Sequence, residues 1–524
     1  MSTLSIASVA QIGEYAIIVH PRDNVAVVKR ETSAGLELAL PSGQVITLKE
    51  TVPPGHRFAI ADIAPGKFVL QYGQPIGTSR GISEGQRISV ENMSNDVPLV
   101  RDLPENLATP PPNYIPESER ATFMGFRRPD GRVGTRNYVL IVPTSMCASH
   151  EAQQISMMSE FLHYKRERFR NVDGVVAIPH NKGCGCQDGS TIDVMLRTLS
   201  NYADHPNVGG VILIDLGCEK TNLSKVNEYL LNRPRKFEKP VARIGIQDVG
   251  GTEAAIARGL KDVEWLLPEI NRSVREECSI GELVLGVKCG ASDGFSGVSA
   301  NPSLGYAADL VVRSGGTVLI TEVPEFCGAE HVLASRAKDA DTARAIYRMV
   351  DWYKEYASKF GAVLNQNPSP GNVAGGLLNI TIKSLGAIAK AGTTRIEGVV
   401  EYAETPTLRG VNLMQGPGYD QESTPGLVAA GATIVVFTTG RGTTIGNAIA
   451  PVIKLASNNR TFERMSRDID LSAGGVIDGV ETIAQTGARV FDHVRRVASG
   501  EITARAEDHK HREFQFWAEQ TVSL

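Results

Sequence analysis

The chain opens with short apolar stretches set close together. YAIIVH, NVAVVK, ITLKE, FAIADI and FVLQYG all fall between residues 12 and 92, separated by Gly, Pro and Asp. Short runs punctuated by turn residues predict a small β-rich unit over 1–94. The pattern then breaks. DVPLVRDLPENLATPPPNYIPESER carries six prolines and little periodicity, which predicts a semi-rigid extended linker over 95–123. From residue 138 strand-like runs at 138–143, 173–178, 209–215 and 241–245 alternate with helical stretches at 190–203 and 252–269. A second alternating region begins near 282. Its clearest strands are ELVLGV, TVLITE and TIVVFTT, and helices are expected near 302–314, 340–359 and 474–498. Such alternation builds βαβ units around parallel sheets. The expected fold class is α/β, with the body divided into units at 124–275 and 276–524.

Four of the apolar runs share an ending. YVLIVPTSMC stops at Cys147, GVVAIPHNKGC at Cys184, VILIDLGC at Cys218 and ELVLGVKC at Cys289. In open α/β sheets ligands bind beyond the carboxyl ends of the strands, so these cysteines are candidate ligands of one soft metal centre. The competing reading is packing, because Cys is among the most buried residue types. Cys186, Cys278 (at an expected helix end, REEC) and Cys327 fall outside the pattern. The remaining bulk properties narrow the field. Apolar residues are 42% and charged residues 21% of 524, and net charge is −4 with pI near 6.3. That is a soluble globular composition with no electrostatic case for a nucleic-acid partner. No apolar stretch reaches the roughly 18 residues of a membrane span, and the N-terminus lacks a basic leader. A cytoplasmic protein with reduced thiols is expected.

Other loops carry polar chemistry. IIVHPRDN sets His20, Asp23 and Asn24 at a strand end, and His56 opens the next strand pair in VPPGHRFAI. A histidine and a carboxylate there could move protons or bind a divalent ion; turn formation is the alternative. VVFTTGRGTTIGN has the spacing GxGxxxG without a following acidic residue for a ribose, which excludes a dinucleotide fingerprint and leaves Arg441 as a planar fork for a carboxylate. TEVPEFCGAEH places Glu322 and Glu325 after a strand. GASDGFSGVSANPS and NPSPGN are dense in groups suited to polyol hydroxyls.

Taken together, IIVHPRDNVAVV, PPGHRFAIADI, YGQPIG, FRRPDGRVGTRN, GCGC, DLGCEK, CGASDGFSGVSANPSLGYAADL, TEVPE, NPSPGN, FTTGRGT and PVIKLASN resemble the altronate and galactarate dehydratase family. The resemblance implies a hydro-lyase for six-carbon sugar acids that uses iron(II), with manganese or another divalent metal as substitute. It also implies an N-terminal SAF-like β-clip domain, a proline-rich tether, a Rossmann-like α/β body and a homodimer. The family's recurrent positions fall on His20, Asp23, Asn24, His56, Cys147, His180, Cys184, Cys218, Cys289, Asp293, Glu322 and Arg441. Lys182 stands where galactarate-type members carry an aromatic residue, and TEVPEFCGAEHVL with the 418–431 stretch resembles the altronate type. An aldonate substrate is therefore expected, with an aldarate, or an acid losing a different β-substituent such as sulfite, as alternatives. The resulting expectation has Cys147, Cys184, Cys218 and Cys289 at one metal centre, as iron(II) or an iron–sulfur cluster. His20, His56 and Asp23 would serve proton transfer, Arg441 the substrate carboxylate, and Asn24, Asp293, Ser296 and Asn301 its hydroxyls.

Overall fold

The structure, a computed structural model, describes residues 9–99, 101–104, 106–232 and 235–517. Its N-terminal domain is built from three small three-stranded sheets. The run VAVV, Val25–Val28, pairs antiparallel with Ala16–Ile17 and Arg57–Ala59. Ile12, Ala26, Val28, Leu38, Ile46 and Phe58 close a core of their own. The domain is fastened to the body by buried polar groups. Arg57 is fully buried and donates to Gln71 Oε1 at 2.7 Å and to the Gly376 carbonyl at 2.6 Å. Asn379 Nδ2 donates to the Ile76 carbonyl at 2.8 Å. The proline-rich segment is extended but not free. Arg101 forks onto Asp351 and Glu330, and the Ile115 N–H donates to the Arg313 carbonyl at 2.8 Å.

The first body unit is a four-stranded parallel sheet: β1 (Tyr138–Pro143), β2 (Gly174–Ala177), β3 (Val208–Asp215) and β4 (Val241–Gly245), in the order β2-β1-β3-β4. Side chains alternate across a strand. Val139 and Ile141 face α1 (Ser149–Leu162) and α3 (Thr252–Ile270), whereas Leu140 and Val142 face α2 (Ser190–Ala203). The second unit is a seven-stranded parallel sheet, β7-β8-β6-β5-β9-β10-β11. Its strands are β5 (Val284–Gly290), β6 (Thr317–Ile320), β7 (Ile396–Val400), β8 (Gly410–Met414), β9 (Ile434–Thr439), β10 (Val452–Ala456) and β11 (Leu471–Ser472). Helix α4 (Ala300–Arg313) covers one face with α6 (Ile483–Ala498). Helix α5 (Asp420–Ala429) packs on α2 between the two sheets.

The packing of α2 on α5 fixes how the sheets are related. Their C-terminal residues Asn201 and Ala429 line one pocket, and Glu422, near the start of α5, lies close enough to Lys182, ahead of α2, to feel its charge, so the two helices run parallel. Each begins beyond the carboxyl end of a sheet, and both carboxyl rims therefore face the same side. Two local expectations are corrected. Cys278 lies in a strand, Glu276–Ser279, paired antiparallel with Thr122–Arg127 opposite Phe123; α3 has already ended at Ile270, and EECS presents its cysteine to the core while its glutamates stay exposed. The helix expected over 474–498 divides into Gly474–Asp478 and α6. Gly479 turns left-handed at φ 77°, and Thr482 with Gln485 forms a capping box that starts α6 afresh.

Candidate active site: two strand rims and a domain junction

At the first rim, β2, β1 and β3 lie side by side and each runs into a cysteine-bearing loop. The loops are bonded to one another. The Met146 N–H donates to the Lys182 carbonyl at 2.7 Å, joining the Cys147 and Cys184 loops. Glu219 joins Cys147's loop to Cys218's. Its buried carboxylate accepts the Thr144 and Ser145 hydroxyls at 3.0 and 2.9 Å and the N–H groups of Leu216, Gly217 and Cys218 at 2.9, 2.8 and 3.0 Å. Burial pushes this carboxyl up, but the donors prevail and hold it below the ordinary range. Gly217 has φ 124°, a conformation only glycine adopts readily, and turns Cys218 out of the strand line. Cys147, Cys184 and Cys218 are exposed, whereas Cys186, two residues past Cys184, is buried in the core.

His180 supports this rim from beneath. Nε2 donates to the Pro143 carbonyl at 3.0 Å, Nδ1 accepts the Lys182 N–H at 3.3 Å, and the Phe516 ring packs edge-on at 4.6 Å. That bonding requires the neutral tautomer. Burial lowers its pKa to about 4.

At the second rim the cysteine is enclosed. Lys288 pairs with Glu322, and with Asp420 at 2.7 Å. Lys390 Nζ lies 2.9 Å from Glu322 and 3.0 Å from Cys289 Sγ, Lys383 lies 2.8 Å from Glu325, and Cys289 Sγ is 3.1 Å from Glu325. All are buried except Asp420. Burial and the adjacent glutamates push the Cys289 thiol well up, so it is protonated and donates to Glu325. Burial raises Glu322, whereas the lysines, led by Lys383, hold Glu325 low against burial. Donor atoms of Cys289, Glu322 and Glu325 lie within 4.8 Å of one another, a group that could hold a metal ion. Three ammonium groups already stand against its two carboxylates and Asp420, however, and a dication there would meet Lys288, Lys383 and Lys390. Glu322 itself is left-handed at φ 78°, an unusual backbone state for a side chain of this kind.

The N-terminal domain meets the second rim at the 367–376 loop. His56 Nε2 donates to the Ala374 carbonyl at 3.2 Å and Nδ1 faces Arg87 Nη2 at 3.2 Å; burial lowers its pKa. Asp293 accepts the Ser296 and Ser457 hydroxyls at 3.0 and 2.9 Å and Asn458 Nδ2 at 3.1 Å, with burial raising its pKa. Arg441 Nη1 donates to the Gly371 carbonyl at 2.8 Å. Backbones nearly touch here: a Cβ on Gly294 would lie 2.0 Å from the Gly55 carbonyl oxygen. His56, Asp293, Ser296 and Arg441 are thus gathered around one loop. His20 lies along the same contact, since Val19 and Tyr72 pack against the cluster that joins Val27 to Phe295 and Val298.

Other expected site residues have structural partners. Asp23 accepts the N–H groups of His20, Tyr72 and Gly73 at 2.9, 3.2 and 2.7 Å. Asn24 accepts from the Leu70 N–H at 2.8 Å and donates to the Phe68 carbonyl at 2.9 Å, which locks the neighbouring hairpin. Asn301 donates to the Gly386 carbonyl and accepts the Thr438 hydroxyl. Sequence reasoning missed Lys288, Lys383, Lys390 and Asp420. One signal was present: Lys288 sits inside the apolar run VLGVKC, where a lysine needs a buried partner.

Three family models match the chain in order: an altronate/galactarate dehydratase SAF domain over 14–96, the D-galactarate dehydratase/altronate hydrolase second domain over 125–271, and the D-galactarate/altronate dehydratase C-terminal region over 280–522. An altronate dehydratase of Bacillus subtilis is 35% identical over 495 residues, covering 93% of this chain and 95% of the relative. A galactarate dehydratase (L-threo-forming) of Escherichia coli is 36% identical, covering 93% of each. The β subunit of a (2R)-sulfolactate sulfo-lyase from Chromohalobacter salexigens is 34% identical over 401 residues, covering 76% of this chain and 97% of the relative.

Proposed function

The chain belongs to the altronate/galactarate dehydratase family, and from that premise we propose that it removes water from an aldonate such as altronate to give a 2-keto-3-deoxy acid. It is a hydro-lyase by family; the substrate is our reading. The ordered, nearly complete family match is the observation that carries it.

The reaction removes a proton from C2, beside a carboxylate that is already charged, and expels the C3 hydroxyl; the enol then becomes the ketone. Three tasks follow for the protein: to hold the carboxylate, to move protons, and to keep the polyol in register. Arg441 suits the first, as a planar donor beside the 367–376 loop. For the second we assign His20. Its Nδ1 accepts the Arg22 N–H at 3.1 Å through an exposed contact, and taking the C2 proton at Nε2 requires the tautomer in which Nδ1 carries the hydrogen. His56 has both ring nitrogens engaged and acts as the latch that seats the N-terminal domain. Asp23 fixes the His20 turn. Asp293 and Ser296 shape the hydroxyl-binding loop, with Asn24 and Asn301 supporting it from behind.

The cofactor we propose is iron(II) or another divalent metal such as manganese, with an iron–sulfur cluster as the alternative form. The reduced, exposed cysteines of the first rim are a soft donor set that fits iron. When bound, such a centre supplies Lewis acidity toward the substrate's carboxylate and hydroxyl. A cytoplasmic homodimer completes the reading; among the described residues no helix is long and apolar enough to cross a membrane.

A second reading, loss of sulfite from a sulfonated hydroxy acid, is favoured by the sulfo-lyase relative. One assay separates the two. Anaerobically purified, iron-supplied protein is offered aldonates, aldarates and 3-sulfolactate, and 2-keto acid and sulfite are measured. Product from an aldonate without sulfite supports the dehydratase; sulfite release, or an aldarate as the only substrate, replaces it. His20→Asn is expected to lower kcat by about 10²–10⁴-fold with KM within a few-fold. Unchanged kcat would remove His20 from proton transfer.

A further inference from the structure

The motif YGQPIG has no task in the proposed reaction, yet its first residue, Tyr72, packs at the contact between the domains. We propose that Tyr72 is a positioning residue: its ring pegs an N-terminal hairpin into a socket made by Gly297 and Gly386 of the body, and through Gly73 it fixes where the His20 ring stands. The inference rests on the assignment of proton transfer to His20 and adds how that side chain is held.

The backbone of the turn speaks first. Strand Phe68–Gln71 pairs with Gln74–Ser79, and Gln71 stands opposite Gln74, so Tyr72 and Gly73 alone make the turn. Their φ angles are 59° and 69°. Positive φ at both central residues is the type I′ pattern, which favours Asn, Asp or Gly. A tyrosine in the first place works against the turn, so its side chain, not its backbone, accounts for it.

That side chain reaches the body. A Cβ on Gly297 would lie 2.4 Å from the Tyr72 hydroxyl oxygen, and one on Gly386 would lie 3.3 Å from it. Two glycines therefore leave open the space that the phenol fills. Gly297 follows Ser296 in the Asp293 loop, and Gly386 is held by Asn301, whose Nδ2 donates to its carbonyl at 2.9 Å.

The turn carries this anchorage to His20. Asp23 Oδ2 accepts the His20 N–H at 2.9 Å and the Tyr72 N–H at 3.2 Å, while Oδ1 accepts the Gly73 N–H at 2.7 Å. The imidazole rests against Gly73, where a Cβ would stand 2.7 Å from Nδ1. One carboxylate and one glycine thus couple the histidine to the peg. The domain itself is fastened elsewhere, by Arg57 on the Gly376 carbonyl and His56 on the Ala374 carbonyl, so the peg can be removed without undocking it.

The test compares Tyr72→Asn with Tyr72→Phe in the full-length, iron-supplied protein. Asn before Gly suits the turn better than Tyr does and lacks the ring, so a loss reports the missing peg and not a broken turn. Phe keeps the ring. Diethyl pyrocarbonate acylates accessible imidazoles, and peptide mass analysis gives the rate at each histidine. In Tyr72→Asn, His20 should react at least about five-fold faster than in wild type, with His56 unchanged because the domain stays seated. On altronate, or whichever acid of the panel is turned over, kcat should fall about 10–100-fold with KM within a few-fold. Tyr72→Phe should bring both readouts back to within about two-fold of wild type. Unchanged His20 reactivity in Tyr72→Asn overturns the proposal, as does a kcat kept there but lost in His20→Asn. A joint rise at His20 and His56 overturns it by making Tyr72 a fastener of the whole domain. An equal loss of kcat in Tyr72→Phe overturns it by putting the hydroxyl itself in the chemistry. If His20 is freed in Tyr72→Asn while kcat is kept both there and in His20→Asn, the positioning stands and the proton-transfer role of His20 falls.

Discussion

The two parallel sheets end on the same side of the molecule, and each delivers a cysteine-bearing rim there, yet the rims are built by opposite means. The first is open. Its thiols are exposed, its loops are tied by hydroxyl and backbone N–H donors onto one carboxylate, and its supporting histidine is uncharged. The second is closed. Its thiol is buried among Lys288, Lys383, Lys390, Glu322 and Glu325, and Asp420, paired with Lys288, supplies the third carboxylate that balances the three ammonium groups. Position at a strand's carboxyl end makes a residue available in principle; exposure and local charge balance decide whether it can take a ligand. On that criterion the first rim is a binding surface. The second is an ionic floor whose order sets Lys383 against Asn367 and Asn372 of the loop that meets His56 and Arg441.

The contrast can be broken most forcefully at Lys390. Lys390→Met removes a fully buried cation and leaves Glu322 with Lys288 alone, which Asp420 also claims, so denaturant unfolding should show a loss of about 3–5 kcal/mol. A loss below about 1 kcal/mol would mean that the floor does not depend on charge pairing.

Acid separates the rims more selectively. The folded pKa of His180 is about 4 against an ordinary 6.5. The unfolded chain therefore binds the extra proton first, and stability present above pH 6.5 is lost as pH falls from 6.5 toward 4. The loss attributable to this residue is on the order of 3 kcal/mol. Glu325, held at about 2, keeps its pairing with Lys383 throughout that window. The difference in stability between wild type and His180→Asn, followed from pH 7 to pH 4, should shrink or reverse as the pH drops; a constant difference would show that His180 is not buried neutral.

The smallest effect is the most diagnostic for the open rim. In iron-free protein, Cys184→Ser changes an exposed side chain that packs on nothing in the core, and its stability should stay within about 0.5 kcal/mol of wild type. A larger loss would make Cys184 a packing residue.

The strands of the first sheet are legible in the chain almost to the residue. Val139 to Val142 are apolar throughout because both faces of a parallel sheet are covered, and the following Thr-Ser or Gly-Cys marks the stop. The adjacency of Cys147, Cys184 and Cys218 follows from strand order, which local pattern does not carry. Cys289 has the same sequence signature as the other three, and only the fold sets it apart: its neighbours Glu322 and Lys390 come from the segment after β6 and the 388–391 turn, and Asp420 of α5 pairs with the adjacent Lys288. Cys278 illustrates the opposite error. Four residues, EECS, are too few to reveal a strand whose partner, Thr122–Arg127, lies about 150 residues earlier. In HPRDN the ambiguity between chemistry and turn resolves by residue: Asp23 and Asn24 hold backbone, and His20 is left at the domain contact.

The most direct test of this division of labour is X-ray absorption at the iron edge on the anaerobically purified protein. The account predicts an iron environment dominated by sulfur, as ligation by the exposed cysteines of the first rim requires. A shell of oxygen donors with one sulfur would place the metal on Cys289, Glu322 and Glu325, and would contradict it.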